Sequence, residues 1–107
     1  MYDDDKITLG PFATISDVKA ANRKAGFHWF DPDALRFFSS RISEQIYGGR
    51  LFISSEAFKS PHGDYPRAYT VRMVSDDGSV STVGEFQGHR TLANARKEAR
   101  AIIESLL

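Results

Sequence analysis

The chain has 107 residues, 41% of them hydrophobic and 26% charged, a size and composition that fit one domain with a single core. It has no cysteine, which excludes disulfides, thiolate zinc sites and cysteine nucleophiles and points to a reducing compartment. Its 14 Lys+Arg balance 14 Asp+Glu, so nothing in the total supports a binder that works by bulk phosphate neutralisation.

Residues 1–6 read as a solvated, flexible tail with Asp3, Asp4 and Asp5 in a row, either disordered or leading into a short edge segment at Ile7 and Leu9. A secretory signal would need positive charge there, followed by an apolar stretch. No run approaches the roughly 18 apolar residues of a membrane span. The expectation is a cytoplasmic protein that does not engage a membrane. Gly10-Pro11 then breaks the chain.

Residues 15–25 form the first helix candidate. Thr14 or Ser16 can cap it, and Asp17 sits in the first turn, where negative charge favours the exposed N–H groups. Ile15, Val18, Asn22 and Ala25 share one stripe, and Gly26 supplies a stop. Lys19, Arg23 and Lys24 occupy the opposite, solvated face. Asp31-Pro32 predicts a second helix, because aspartate caps and proline fits the first helical position. It should run from Pro32 to Ser40 or Ile42, with Leu35, Phe38 and Ile42 at core spacing. Phe27, Trp29, Phe30, Phe37 and Phe38 cluster around it, and not all five rings can face inward.

The middle of the chain reads as β. Residues 50–58 follow Gly48-Gly49, which suit a turn or bulge, and alternate Leu51, Ile53 and Ser55 against Phe52, Ser54 and Glu56. Residues 59–66 are a loop by composition. Residues 67–75 and 80–87 predict a hairpin around Asp77-Gly78. A two-residue turn there would set Asp76 opposite Ser79, Met73 opposite Thr82, Val71 opposite Gly84 and Tyr69 opposite Phe86. Residues 91–107 predict a last helix capped by Thr91, with a stripe at Leu92, Ala95, Ala99, Ile102 and Leu106. The expected fold is α+β in a single domain: two N-terminal helices, a three-stranded antiparallel meander and a C-terminal helix. The last helix and the aromatic region would share one sheet face.

Little in this sequence suggests catalysis. His28, His62 and His89 lie far apart without metal-ligand spacing, and no glycine loop precedes a helix to cradle phosphate. Asp76-Asp77-Gly78-Ser79 lacks the alternating ligands and closing glutamate of a calcium loop. Ser39, Ser40, Ser43, Ser54 and Ser55 occupy no strand-to-helix elbow. The chain reads as a non-enzyme that needs no cofactor and no metal.

Two resemblances bear on function. The order helix–strand–strand–strand–helix, with the stretch from Tyr69 through Gly88-His89-Arg90-Thr91, loosely resembles double-stranded RNA-binding domains, which read duplexes by shape. That family has a lysine pair opening its last helix, where this chain has Leu92, Ala93 and Asn94, with Arg96 and Lys97 a turn later. A more specific resemblance runs from about Asp17 to Ala99. Ala25-Gly26-Phe27-His28-Trp29-Phe30, Leu35-Arg36-Phe37-Phe38-Ser39-Ser40-Arg41-Ile42, Tyr47-Gly48-Gly49-Arg50-Leu51-Phe52, Ser55-Glu56, Tyr69-Thr70-Val71-Arg72 and Asp77-Gly78-Ser79 resemble small proteins of unknown function encoded by bacteriophages and bacterial mobile elements. The resemblance implies a phage or prophage origin and action in the bacterial host cytoplasm, and it supplies no functional residues.

The expected function is therefore a small phage-type protein that binds and inhibits a host protein or ribonucleoprotein complex, anti-CRISPR inhibitors being one instance. The alternative is a nucleic-acid-binding domain. Aromatic and arginine side chains are the favoured anchors of interfaces. The partner-binding candidates are Trp29, Phe30, Arg36, Arg41 and Arg50.

Overall fold

The computed structural model describes residues 10–37, 40–43, 45–57, 59–60, 63–64 and 66–106. The 1–6 tail, Ile7, Leu9, Phe38, Ser39, Glu44 and His62 lie outside the described residues, as do the side chains of Phe37 and Leu106. The elements in chain order are α1 (Ile15–Lys24), α2 (Pro32–Phe37), β1 (Arg41–Ile42), β2 (Leu51–Glu56), β3 (Lys59–Ser60), β4 (Gly63–Asp64), β5 (Ala68–Val74), β6 (Val80–Val83) and α3 (Leu92–Leu106).

The α+β class holds, but the antiparallel sheet has four strands, in the order β1-β2-β5-β6, where the sequence suggested three. The addition is β1, which sets Arg41 opposite Ser55 and Ile42 opposite Ser54. Two residues carry no readable alternation. They become a strand because the edge of β2 offers partners for their backbone groups. The second helix accordingly ends at Phe37, short of the expected Ser40 or Ile42, and Ile42 belongs to the sheet. A short ribbon, β3 with β4, occupies the stretch read as loop, pairing Lys59 with Asp64 and Ser60 with Gly63.

The hairpin forms around Asp77-Gly78, one residue out of the expected register. Val71 pairs with Val83, Arg72 with Thr82, Met73 with Ser81 and Val74 with Val80. The loop has three residues, 76–78: the Ser75 N–H donates to the Ser79 carbonyl at 2.9 Å and the Gly78 N–H to the Ser75 carbonyl at 2.8 Å. Asp-Gly serves both turn lengths, as the centre of a two-residue turn or with glycine in the left-handed position of a three-residue one. Here Gly78 has φ +89°, and a Cβ on it would lie 2.6 Å from the backbone carbon of Ala21. The Asn22 side chain donates to the Gly78 carbonyl at 2.8 Å, tying α1 to this loop. β6 stops at Val83, so Tyr69 faces Ser55 and bridges to His89 instead of meeting Phe86.

β2 is buried at every position, and the two sheet faces carry different cores. On one face Leu51, Ile53 and Val71 meet Ala95, Ala99 and Ile103 of α3, with Leu92, Met73, Val83 and Ile102 at the margin. The buried stripe of α3 thus runs through Ile103, with the expected Ile102 only half-buried. On the other face Phe52 and Val74 meet Phe12, Ile15, Val18 and Phe30. The helices therefore sandwich the sheet and do not share one face. β2 alternates as the sequence indicated, but both sets of side chains are covered.

α1 begins as its sequence dictates. Thr14 caps it by accepting from the Asp17 N–H at 3.2 Å, and Asp17 accepts in return from the Thr14 N–H at 3.3 Å. This reciprocal box satisfies two donors that the helix itself leaves without partners. Ile15, Val18 and Asn22 point inward, while Ala25 is exposed. Gly48 and Gly49 make the turn into β2, and the Gly10 and Phe12 N–H groups donate to their carbonyls at 3.1 and 3.2 Å. That brings Phe12 into the core beneath α1.

Candidate functional site

The face of the sheet under α1 changes character along its length. Where Phe52 and Val74 lie, apolar side chains fill it. Beyond them stand Ser54, Glu56, Thr70, Arg72 and Thr82, a polar set in the middle of the sheet. Strand alternation puts Phe52, Ser54 and Glu56 on one side, and antiparallel pairing places Arg72 beside Phe52 and Thr70 beside Ser54.

Arg72 and Glu56 form a buried ion pair at 2.8 Å, with side chains 10% and 1% exposed. Arg72 Nε donates to Ser54 Oγ at 2.9 Å, Nη1 to Thr82 Oγ1 at 2.5 Å and Nη2 to Glu56 Oε1 at 2.8 Å. Glu56 also accepts from Ser54 Oγ at 2.7 Å and from Thr70 Oγ1 at 3.3 Å. Such a pair contributes little net stability over an apolar replacement, yet removing one partner costs about 3–5 kcal/mol. Its hydroxyl partners offset the desolvation of both charges.

Two aromatic rings hold the Arg72 head group, Trp29 with its centroid at 5.2 Å and Phe86 at 5.3 Å. Trp29 is fixed edge-on against Phe30 (4.7 Å) and Phe52 (5.7 Å), and its backbone N–H donates to Asn22 Oδ1 at 3.2 Å. Phe86 comes from the connection between β6 and α3 and stays 44% exposed. Its neighbour Gln87 takes φ 55°, a left-handed conformation that costs a non-glycine residue of order 1 kcal/mol. β5 and β2 hold it there: the Gln87 N–H donates to Thr70 Oγ1 at 2.8 Å and its Nε2 to the Glu56 carbonyl at 2.9 Å.

Between these rings opens a cleft of about 420 Å³, with Ala34, Leu35 and Ser40 on one wall, Trp29 and Phe86 flanking it, and Glu56 and Arg72 as its floor. A concave, mostly apolar space with a few converging polar groups is the usual form of a binding site. Of the candidates read from sequence, Trp29 lines this cleft. Arg36 is exposed on α2, the helix that supplies the cleft wall. Phe30 is buried in the core. Arg50 donates to the Val74 carbonyl at 2.9 Å and to Asp76 at 2.6 Å, bracing the hairpin. Arg41 lines a second, smaller pocket bordered by Ile53, Tyr69 and Leu92 on the α3 side of the sheet. The five candidates do not converge on one place.

Glu56, Arg72, Phe86 and Gln87 went unremarked as site residues in the sequence reading. Their one signal is polar side chains on alternate positions of β2 and β5 next to apolar ones. Only the pairing of the strands joins those positions into one network. Two histidines have carboxylate partners, exposed His28 with Asp31 at 2.9 Å and His89 with Glu98, but neither pair lines the cleft or the smaller pocket. Among the described residues, no helix is long and apolar enough to cross a membrane, and no group of three or more His, Asp or Glu is placed to hold a metal ion.

The model of a family of unknown function (DUF7447) matches residues 14–100, and the chain belongs to that family. Among curated proteins and among solved structures nothing matches it.

Proposed function

We propose that this family member is a non-catalytic binding domain whose cleft between Trp29 and Phe86 receives an apolar anchor side chain of a protein partner. The observation that carries this reading is the cleft itself: about 420 Å³, apolar walls and a buried Arg72–Glu56 floor. The floor is close to neutral overall and offers donors beside apolar walls, which suits a side chain and the peptide bond next to it. Three hydrogen bonds engage three of the five N–H donors that a guanidinium carries. Trp29 and Arg36 are of the residue types that dominate interface energies. Glu56 is occupied by Ser54, Thr70 and Arg72, which favours a positioning role for it over proton transfer. The narrower reading, a phage-type inhibitor of a host complex in the bacterial cytoplasm, has the sequence resemblance as its support.

The test is selection from a random-peptide library on the whole chain and on Leu35→Glu, which puts a charge on the cleft wall. The expected result is a peptide family sharing one aromatic or aliphatic position, with affinity reduced at least about tenfold by Leu35→Glu and by Phe86→Ser. Circular dichroism would show both variants folded. Peptides that bind wild type and both variants equally would sink the proposal. So would affinity for duplex RNA or DNA that falls steeply with salt while no peptide is enriched.

A further inference from the structure

The second pocket, of about 220 Å³, lies across the sheet from the cleft and has a different chemistry. Antiparallel pairing lines up Arg41 of β1, Ser55 of β2 and Tyr69 of β5 in one row across the sheet. Ser43, Ser54 and Arg67 complete the polar lining, and Leu92 borders the pocket from the start of α3. Among the described residues the lining thus holds two guanidinium groups, four hydroxyl-bearing side chains (of which Ser54 turns its hydroxyl to Glu56 and Arg72 on the other face) and no carboxylate. Arg67 is anchored: its Nη1 donates to the Ser55 carbonyl at 3.0 Å and to Ser55 Oγ at 2.9 Å. Neither Arg41 nor Arg67 forms an ion pair among the described residues.

We propose that this pocket binds a tetrahedral oxyanion of the phosphate class. Two like charges that flank a concavity with no counter-charge among the described residues repel one another, and an anion between them removes that repulsion. Guanidinium forks match the oxygens of phosphate two at a time, and hydroxyl rotors supply further donors. The volume is several times the roughly 30 Å³ share of one water, which leaves room for the anion and its ester oxygen. α3 adds to the same field, because its first turn contains no acidic residue and its positive dipole end begins at Leu92. This site is separate from the cleft, and either can fail without the other.

The experiment is titration of the whole chain with inorganic phosphate at constant ionic strength in chloride, followed by amide and arginine Nε–H NMR. Saturable shifts are expected at Ser43, Ser55, Tyr69 and Leu92 and at the Arg67 Nε–H, with a dissociation constant on the order of 1 mM, typical of a small, few-contact ligand. Arg41→Gln, an exposed position whose loss leaves the sheet intact, should weaken binding about tenfold, and Arg67→Lys should weaken it while keeping the charge. Arg23→Gln on α1 should leave it unchanged. A parallel titration with phosphoserine identifies the source: tighter binding than inorganic phosphate points to an esterified group, equal binding to the free ion. The proposal is overturned if phosphate produces no saturable shift. It is also overturned if Arg23→Gln weakens binding as much as Arg41→Gln, or if duplex RNA shifts these signals while phosphate does not.

Discussion

The two faces of the sheet are covered in opposite ways. Under α3, Leu51, Ile53 and Val71 pack on Ala95, Ala99 and Ile103, and the two alanines let the helix lie close to the strands. The helix covers that face along the middle of β2 and β5, and burial alone accounts for its contribution. Under α1, the cover extends only over Phe52 and Val74. Past Trp29 the strands turn polar, and the gap left by short α2 becomes the cleft. The fold needs a buried apolar face on both sides of β2 and achieves it fully on one. On the other side a buried ion pair stands where a core would be, at the place where a partner could reach it.

This contrast can be broken or sharpened by removing polar groups from each face. The largest effect is expected at Arg72→Met, which strands the Glu56 carboxylate and should cost about 3–5 kcal/mol in chemical denaturation. Adding Glu56→Met should recover most of that loss, because the double variant has no buried charge left unpaired. A neutral Arg72→Met would mean that water already reaches Glu56, and the two faces would not differ as described.

The α3 face predicts the opposite sign. Tyr47 is fully buried in that cluster and its hydroxyl has no hydrogen-bond partner among the described residues. Tyr47→Phe removes an unsatisfied polar atom and should stabilise the chain by about 1 kcal/mol in the same assay. A destabilisation of that size would reveal a partner for the hydroxyl and make this face less purely apolar.

The smallest effect belongs to the hairpin loop that joins β5 to β6 and borders both faces. Asp77 has its carboxyl held below the usual 3.8, first by the Ser79 backbone N–H and then by the Ser79 hydroxyl. Its folded value is the depressed one, so its contribution is present above the unfolded value and fades as pH falls through the folded one. Amide NMR between pH 5 and pH 2 should show Ser79 losing its protected position only as pH falls below the usual aspartate value and through the lower folded one. A Ser79 signal that does not change over this range would remove the carboxylate from the account of the turn.

Local chemistry was readable residue by residue. Thr14 with Asp17 marks a helix start, Asp31-Pro32 marks another, and the stripe through Ala95 and Ala99 marks the last helix. Each signal is complete within four or five neighbouring positions. The register of the hairpin was not readable. Asp-Gly satisfies two turn lengths equally, and the choice between them rests on Asn22 and the α1 backbone, which hold Gly78 from more than fifty positions away. β1 escaped notice because two residues have no period. The cleft escaped because its parts come from six separate stretches of chain.

By itself, then, the sequence determined the α+β class, the three helix positions, the alternation of β2 and the location of the hairpin, since propensity, capping and turn chemistry act between near neighbours. Tertiary structure alone decided that both faces of β2 are covered, that Arg41 and Ile42 form a fourth strand, and that Arg72 meets Glu56 beneath Trp29 and Phe86. Those outcomes depend on backbone groups and charges finding partners far along the chain, and on which buried space is left when the larger side chains have packed. Both pockets arise in that way, from what the packed elements leave uncovered.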